Sequence, residues 1–283
     1  MLHRVTLRIL EMQAVWADPL GKLFVAIFGA LYRPVPAIKD FLNGVWFGHP
    51  LHPAITDVPI GAYVVALVLD ISGQRAAATA AIAVGIVFML LAALAGYADY
   101  IDLEGKTRQF GTVHSSLMLV ALVFYVASFF MRLGAVPSPA EVWLSVIGFL
   151  IVITSAYVGG ELVYNLGTQV DRHAWRGGGT KWAALDVTEV PADKPVKAKA
   201  GAQTLVVVRR GDAVDALHDV CAHQGCSLSE GKIVGDAIEC QCHGSRYRLR
   251  DGLVVRGPAV FDQPHYEVRE ADGKIEVRRT DTR

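Results

Sequence analysis

Cysteine is scarce in this chain: 283 residues carry four, all between positions 221 and 242. A small scaffold held together by many disulfides is thereby excluded, and any thiol chemistry is confined to one short stretch. Net charge is missing too, with 27 Lys and Arg against 27 Asp and Glu. Nothing in that balance supports a nucleic-acid binder. A charged N-terminal region followed by a short apolar run and a small-residue cleavage site is not found, so a removable signal peptide is not expected.

Charge is rarest before residue 165. The chain is 53% hydrophobic with a mean hydropathy of +0.36, too apolar for an ordinary soluble protein. Four runs, at about 54–72, 76–96, 111–131 and 141–164, approach the roughly 20 helical residues that cross a ~30 Å hydrocarbon core. They predict a four-helix transmembrane bundle over residues 49–168. Tyr97, Tyr100, Trp143 and Tyr164 lie near the expected ends, where interfacial aromatics belong. Ala81 with Gly85, and Ala92 with Gly96, permit close packing of the second helix.

Residues 1–48 mix Arg4, Arg8, Lys22, Arg33 and Lys39 with Leu, Ile, Phe and Trp. The apolar run 23–31 is too short to cross, so short amphipathic helices lying in the interface are expected, broken at Pro34 and Pro36. Residues 169–180 carry Gly177, Gly178 and Gly179 and are expected to form a linker to a separate domain at 181–283. Four spans put both termini on one side, together with Lys106, Arg108, Arg172, Arg176 and Lys181. The opposite loops offer Arg75 and Arg132. By the positive-inside rule this is a multi-pass protein of the cell membrane, embedded in lipid, with both termini and the C-terminal domain in the cytoplasm.

Ionisable residues gather at that same end. The first span opens with Gly48-His49-Pro50-Leu51-His52-Pro53 and then Asp57; Asp99 and Asp102 follow the second, His114 begins the third, and Glu161 ends the fourth. An uncompensated ionisable group deep in a membrane costs up to roughly 2.5–3.5 kcal/mol, so such residues suggest a site. Three readings stand. His52 and His114, on facing helices, suit axial ligation of a b-type haem; a quinone docks there and exchanges protons with His or Asp; or the histidines cap a helix while the carboxylates pair with interfacial Lys or Arg. The GHPLHP segment, with Gly96-Tyr97-Ala98-Asp99, Val113-His114 and Ser155 to Gly160, resembles an uncharacterised family of bacterial four-helix membrane domains. That family often has a histidine where this chain has Glu161, which weakens any scheme needing a fourth-helix histidine.

The four cysteines fall in two short motifs. Cys221-Ala-His223 is followed after sixteen residues by Cys240-Gln-Cys242-His243. Two Cys and two His also suit tetrahedral zinc, but zinc pairs are usually separated by two to four residues and the first pair here by one. The surrounding CAHQGCSLSEG and CQCHGSRY resemble the cluster-binding loops of the Rieske [2Fe–2S] family. The resemblance implies Cys221, His223, Cys240 and His243 as cluster ligands, two imidazoles replacing two thiolates on one iron. It further implies a Cys226–Cys242 disulfide, as in bc-type members, hydrogen bonds from Ser245 and Tyr247 that raise the potential, and a closing loop at Gly257-Pro258-Ala259. His218 and His265 receive no role. Short β-rich runs at 205–209, 213–220, 237–240, 247–250, 253–255, 266–269 and 275–278, parted by Gly, Asp and Pro, predict a small antiparallel all-β domain.

Together these features predict a membrane-integral electron-transfer protein built from an all-α membrane bundle and an all-β Rieske domain, its donor and acceptor unidentified. A membrane-anchored electron donor to a separate oxygenase or reductase, and a redox sensor, are the alternatives. About forty residues follow His243, too few for an oxygenase's own catalytic domain with its mononuclear iron. The residues alone leave open whether the chain is a carrier or a quinol-linked oxidoreductase working within a complex.

Overall fold

The computed structural model of the protein describes residues 2–175, 177–271 and 273–280, with side chains from residue 5 onward; Arg176 and the Arg4 side chain, counted above among the basic residues, lie outside them. The chain forms two compact units, Met1–Leu42 with Leu51–Thr168, and Asn43–Pro50 with Gln169–Arg283.

The second unit is all β apart from short turns. Its strands are β1 Ala183–Ala184, β2 Val196–Ala200, β3 Gln203–Arg210, β4 Ala213–His218, β5 Lys232–Val234, β6 Ala237–Glu239, β7 Arg246–Arg248, β8 Val254–Arg256, β9 His265–Ala271 and β10 Lys274–Arg279. They make a six-stranded sheet in the order β1-β10-β9-β4-β3-β2 and a four-stranded sheet in the order β5-β6-β7-β8. Every named pairing is antiparallel. Strand β3 is buried through Leu205, Val206, Val207 and Val208, the pattern of a central strand covered on both faces. Val206 and Val208 join one core with Leu217, Ile238 and Tyr247, while Leu205 and Val207 join another with Tyr266 and Val277. Val45, from the 3-10 turn Val45–Phe47, packs on the first of these cores.

The first unit is helical: α1 Leu2–Met12, α2 Ala14–Tyr32, α3 Pro36–Asn43, α4 Leu51–Ile71, α5 Arg75–Tyr100, α6 Gly105–Arg132 and α7 Pro139–Gly160, which runs on into a π turn at Glu161–Asn165. The break between α2 and α3 falls at Pro34 and Pro36, two closely spaced rings without N–H donors that disfavour a continuous helix. Helices α4 to α7 are the four expected spans. Helix α2 is a fifth helix long and apolar enough to cross, although the sequence suggests an interfacial position. Asp18-Pro19 and Gly21-Lys22 interrupt its apolar pattern, but the helix continues through them. A Cβ on Gly21 would stand 2.7 Å from Thr112 Oγ1 and 2.9 Å from Tyr100 Oη, so glycine is what lets α2 approach the bundle here.

Helices α4–α5 and α6–α7 form two hairpins that repeat one another. His52 and His114, Tyr63 and Tyr125, and Asp70 and Arg132 are each 62 residues apart, and each pair meets: imidazole centroids 6.2 Å apart, phenol rings stacked at 3.6 Å, and a bidentate ion pair at 2.7 Å. Glycines repeat as well. A Cβ on Gly85 would strike the Tyr63 ring, and one on Gly148 would lie 3.0 Å from that of Tyr125. Equivalent residues that meet in this way lie on a pseudo-twofold axis running along the bundle. Eleven and eighteen residues separate the tyrosine and the ion-pair position from the histidine, close to whole helical turns. At 1.5 Å per residue the histidines and the ion pair are about 27 Å apart, close to the depth of the hydrocarbon core.

The ion pair closes the end of the bundle away from the histidines. Arg132 and Asp70 side chains are 0% and 3% exposed, and Arg132 Nη2 also donates to Ser145 Oγ at 3.1 Å. Nearby, Arg75 donates to both carboxylate oxygens of buried Glu141 at 2.6 and 2.9 Å. Removing one partner of a buried pair strands the other charge, at about 3–5 kcal/mol. Arg132→Met should therefore lower the unfolding temperature of the detergent-purified protein sharply, and Asp70→Leu added to it should restore part of the loss. Equal stability of the single and double variants would show that the pair is not buried as described.

Candidate metal centre

Two loops of the β unit share one backbone design. In the first, following β4, Cys221 N donates to Cys226 O at 2.8 Å and Gly225 N to Cys221 O at 2.9 Å; in the second, between β6 and β7, Cys240 N donates to Ser245 O at 2.8 Å and Gly244 N to Cys240 O at 3.0 Å. Each chain thus turns back on its cysteine through a glycine four residues on. Gly225 and Gly244 have φ of +86° and +79°, a left-handed conformation that disfavours side chains. The matching folds bring Cys221 and Cys240 into the core, 1% and 2% exposed. The His223 and His243 rings meet nearly at right angles with centroids 4.9 Å apart.

Cys226 and Cys242 form a disulfide across the loop tips, with Cα atoms 6.6 Å apart. Their sulfurs lie within 4.8 Å of Cys240 Sγ, but disulfide sulfurs carry no thiolate charge, so Cys221 and Cys240 are the free thiols here. Tyr247 Oη lies 3.2 Å from Cys221 Sγ and is fully buried. Burial first, then the charge available at Cys221, pushes the phenol well above its usual range, so it remains protonated and able to donate. Ser245 Oγ accepts from Ala259 N at 3.0 Å, which ties the Gly257-Pro258-Ala259 loop to the second cysteine loop.

The supports beneath the first loop were not legible as site residues. Gln263 is 2% exposed; its amide donates to His218 O and Val220 O at 2.5 and 2.6 Å and its carbonyl accepts from Ala222 N at 3.1 Å. Asp219 accepts from Ser227 Oγ at 2.6 Å and Ser229 N at 2.7 Å, with Lys197 Nζ at 3.2 Å. Burial raises the Asp219 carboxyl, but these donors outweigh it and hold the group below the usual range. A glutamine twenty residues beyond His243 gives no signal by itself; the nearest hint is its place directly before Pro264, which precedes β9.

Residues 169–175 and 177–180, expected as a flexible linker, are seated on this unit. His173 is 5% exposed with its ring 4.8 Å from that of His218, and Arg172 Nε donates to His223 O at 3.4 Å. Gly179 O accepts from Arg279 N. His218 closes β4 and His265 opens β9, where its Nδ1 lies 3.1 Å from Thr280 Oγ1. His223 is buried, 7% exposed, rather than open to solvent.

Two Cys and two His on twin loops are a donor set that suits an iron–sulfur cluster with mixed ligation. Residues 180–267 match the Rieske [2Fe–2S] domain family, and residues 48–172 match a predicted membrane protein family, DUF2231. The chain is a Rieske protein fused to a DUF2231 membrane domain. This Rieske protein is 33% identical over 98 residues to the anthranilate 1,2-dioxygenase ferredoxin subunit of Burkholderia cepacia, covering 34% of this chain and 91% of the relative. It is 37% identical over 79 residues to ferredoxin CarAc of Metapseudomonas resinovorans, covering 28% and 74%. It is also 37% identical over 73 residues to the cytochrome b6-f complex iron-sulfur subunit of Chlorobaculum tepidum, covering 26% and 39%.

In the Rieske protein's membrane domain, the structure unites two of the ionisable residues singled out above. His52 and His114 face each other. Asp57 and His49 are exposed, Asp102 pairs with Lys39, and Asp99 and Glu161 are buried.

Replacing Gln263 by Leu keeps volume but strands one N–H and two carbonyls beneath the first loop, each lost bond leaving a group worth about 1–3 kcal/mol when buried and unpaired. Gln263→Leu should lower the denaturation midpoint and speed the loss of bound iron, whereas an exposed control, Gln241→Leu, should do neither. Wild-type iron retention in Gln263→Leu would sink this role.

Proposed function

We propose that this protein is a membrane-bound one-electron carrier in which Cys221, His223, Cys240 and His243 hold a [2Fe–2S] cluster. The observation that carries the reading is the pair of loops, alike in their backbone hydrogen bonds and left-handed glycines, that bury two thiols beside two imidazoles. When bound, the cluster supplies a reversible one-electron couple. The chain's own residues set the conditions: the twin loops hold the donors, the disulfide keeps the loop tips together, and Tyr247 presents a proton to the Cys221 sulfur. Such a donor favours the more negative, reduced state and so raises the potential. Closing a loop of about sixteen residues is worth roughly 3 kcal/mol in the chain-entropy account.

The relatives named for dioxygenase ferredoxins and for a cytochrome b6-f complex support two kinds of exchange: delivery of electrons to a separate oxygenase or reductase, or exchange within a membrane chain. The second is favoured by the membrane domain itself, whose histidine pair lies at the end of the bundle from which the chain leads into the cluster domain. A second redox group there, haem b or a quinone, would make the protein a relay. The basic residues at this end support a cytoplasmic cluster domain, and both arginines at the other end, Arg75 and Arg132, are engaged by Glu141 and Asp70. The disulfide is unusual for that compartment, yet a bridge with a strongly reducing potential resists the glutathione pool.

Dithionite-reduced protein should give a Rieske-type paramagnetic signal that is lost in Cys221→Ala and in His243→Ala; zinc in place of iron in freshly purified protein would refute the assignment. Tyr247→Phe should keep the signal and lower the midpoint potential by on the order of tens of millivolts, 59 mV being tenfold for one electron. A cysteine placed at Gly134, made accessible to an impermeant thiol reagent in intact cells while the C-terminal domain resists proteolysis from outside, checks the orientation.

A further inference from the structure

We propose that His52 and His114 bind a b-type haem as trans axial ligands on the pseudo-twofold axis of the membrane domain. This rests on the electron-carrier reading and gives the second redox group its chemistry.

The tautomers come first. His52 Nδ1 lies 2.8 Å from Ala92 O and His114 Nδ1 2.8 Å from Ser155 O. A carbonyl oxygen only accepts, so Nδ1 carries the proton in both rings. Each neutral ring therefore keeps its lone pair on Nε2, the nitrogen that ligates a metal when the other is tied to a backbone carbonyl. Ser155 Oγ adds a second contact at 3.0 Å to His114 Nδ1 and donates to His114 O at 2.9 Å.

Ring spacing then selects the geometry. Two imidazoles bonded to one metal at ~2.0–2.1 Å have centroids roughly 6 Å apart when they are trans and roughly 5 Å apart at a tetrahedral angle. The molecule contains both cases. His223 and His243, proposed to share one iron at a tetrahedral angle, are 4.9 Å apart, whereas His52 and His114 are 6.2 Å apart. The membrane pair thus fits opposite faces of one metal rather than two corners of a tetrahedral zinc site.

The duplication supplies the independent argument. His52 and His114 occupy equivalent positions in the two hairpins, as do their carbonyl acceptors, forty and forty-one residues on. So do Gly96 and Gly159, where a Cβ would lie 2.8 Å from the His52 ring and 3.2 Å from that of His114. Helix capping would explain one histidine by its local sequence; it gives no reason for both hairpins to keep histidine, acceptor and glycine in register. A site with two equivalent faces matches a metal centred in a planar macrocycle, which offers one axial position on each side. Ala92 O, Gly96 and Gly159 are the groups of α5 and α7 that stand against the two rings.

The test uses the full chain purified in detergent from cells supplied with a haem precursor. One haem b per chain is expected, with a six-coordinate low-spin spectrum in both oxidation states. The ring planes stand at 81°, so the oxidised protein should give the strongly anisotropic low-spin signal of near-perpendicular imidazoles. His52→Ala and His114→Ala should each lose the haem or turn it high-spin, while the iron–sulfur signal stays unchanged. His52→Gly with added imidazole should return the low-spin spectrum, which a merely misfolded variant would not do. A full complement of cluster with no haem, even after titration with hemin, overturns the proposal, as does low-spin haem that survives both single substitutions or stoichiometric copper in its place. Haem without any cluster would instead refute the electron-carrier reading and leave the axial pair supported.

Discussion

Holding two cysteine thiols side by side in a protein core is the constraint on which the β unit turns. Cys221 and Cys240 come from different loops and are almost fully buried, so each loop must turn sharply without leaving its own backbone groups unpaired. The answer is the same in both: a left-handed glycine four residues on, and two backbone hydrogen bonds that close the loop over its cysteine. The irregular backbone that remains is satisfied from outside, by the Gln263 amide and the Asp219 carboxylate under the first loop and by Ser245 holding Ala259 beside the second. Buried backbone groups left unpaired would forfeit about as much stability as each of these contacts secures. Both cysteine loops are thus held from outside as well as by their own backbone.

In the membrane domain the governing constraint is different. Apolar helices in lipid gain little from burying apolar surface, so packing and polar contacts must specify the arrangement. Duplication answers that need economically. Once two hairpins pair about an axis, any residue on it meets its own equivalent, and one substitution pattern is used twice. The stacked Tyr63 and Tyr125 rings and the Asp70–Arg132 pair show two outcomes, a like pair and a complementary one. Two identical charges on the axis would repel, whereas Asp70 opposite Arg132 attracts. The histidines, in contrast, have stayed alike.

What was legible in the sequence follows the same logic. The cluster motif could be read because Cys and His are rare and the twin loops tolerate little change in spacing. The four main spans could be read because lipid demands length and apolarity at once. Gln263 and Asp219 act through contacts that no local pattern encodes. Strand β2 was missed because its sequence, VKAKA, has weak strand preference; it is an edge strand whose lysines face outward while Ala198 and Ala200 are buried, and charged edges discourage association with other sheets. The repeat was present as a spacing rather than a similarity: His and Tyr eleven apart, then Gly and Gly eleven apart, at 52, 63, 85 and 96 and again at 114, 125, 148 and 159.

Helix α2 tests the orientation argument more severely than the other elements. Gln109, at the start of α6, donates to Leu10 O and Glu11 O, and beyond the other end of α2 Lys39 pairs with Asp102, so the chain enters and leaves α2 at the histidine end of the bundle. Arg33, Lys39, Lys106 and Arg108 lie at that end, after α2 or at the start of α6. Lys39 is paired with Asp102, yet the positive-inside rule counts basic residues near span ends rather than net charge. At the other end Arg75 and Arg132 are drawn into the bundle by Glu141 and Asp70. The charge bias toward the histidine end therefore rests on α4 to α7, and α2 leaves it unchanged because the chain enters and leaves that helix at the same end.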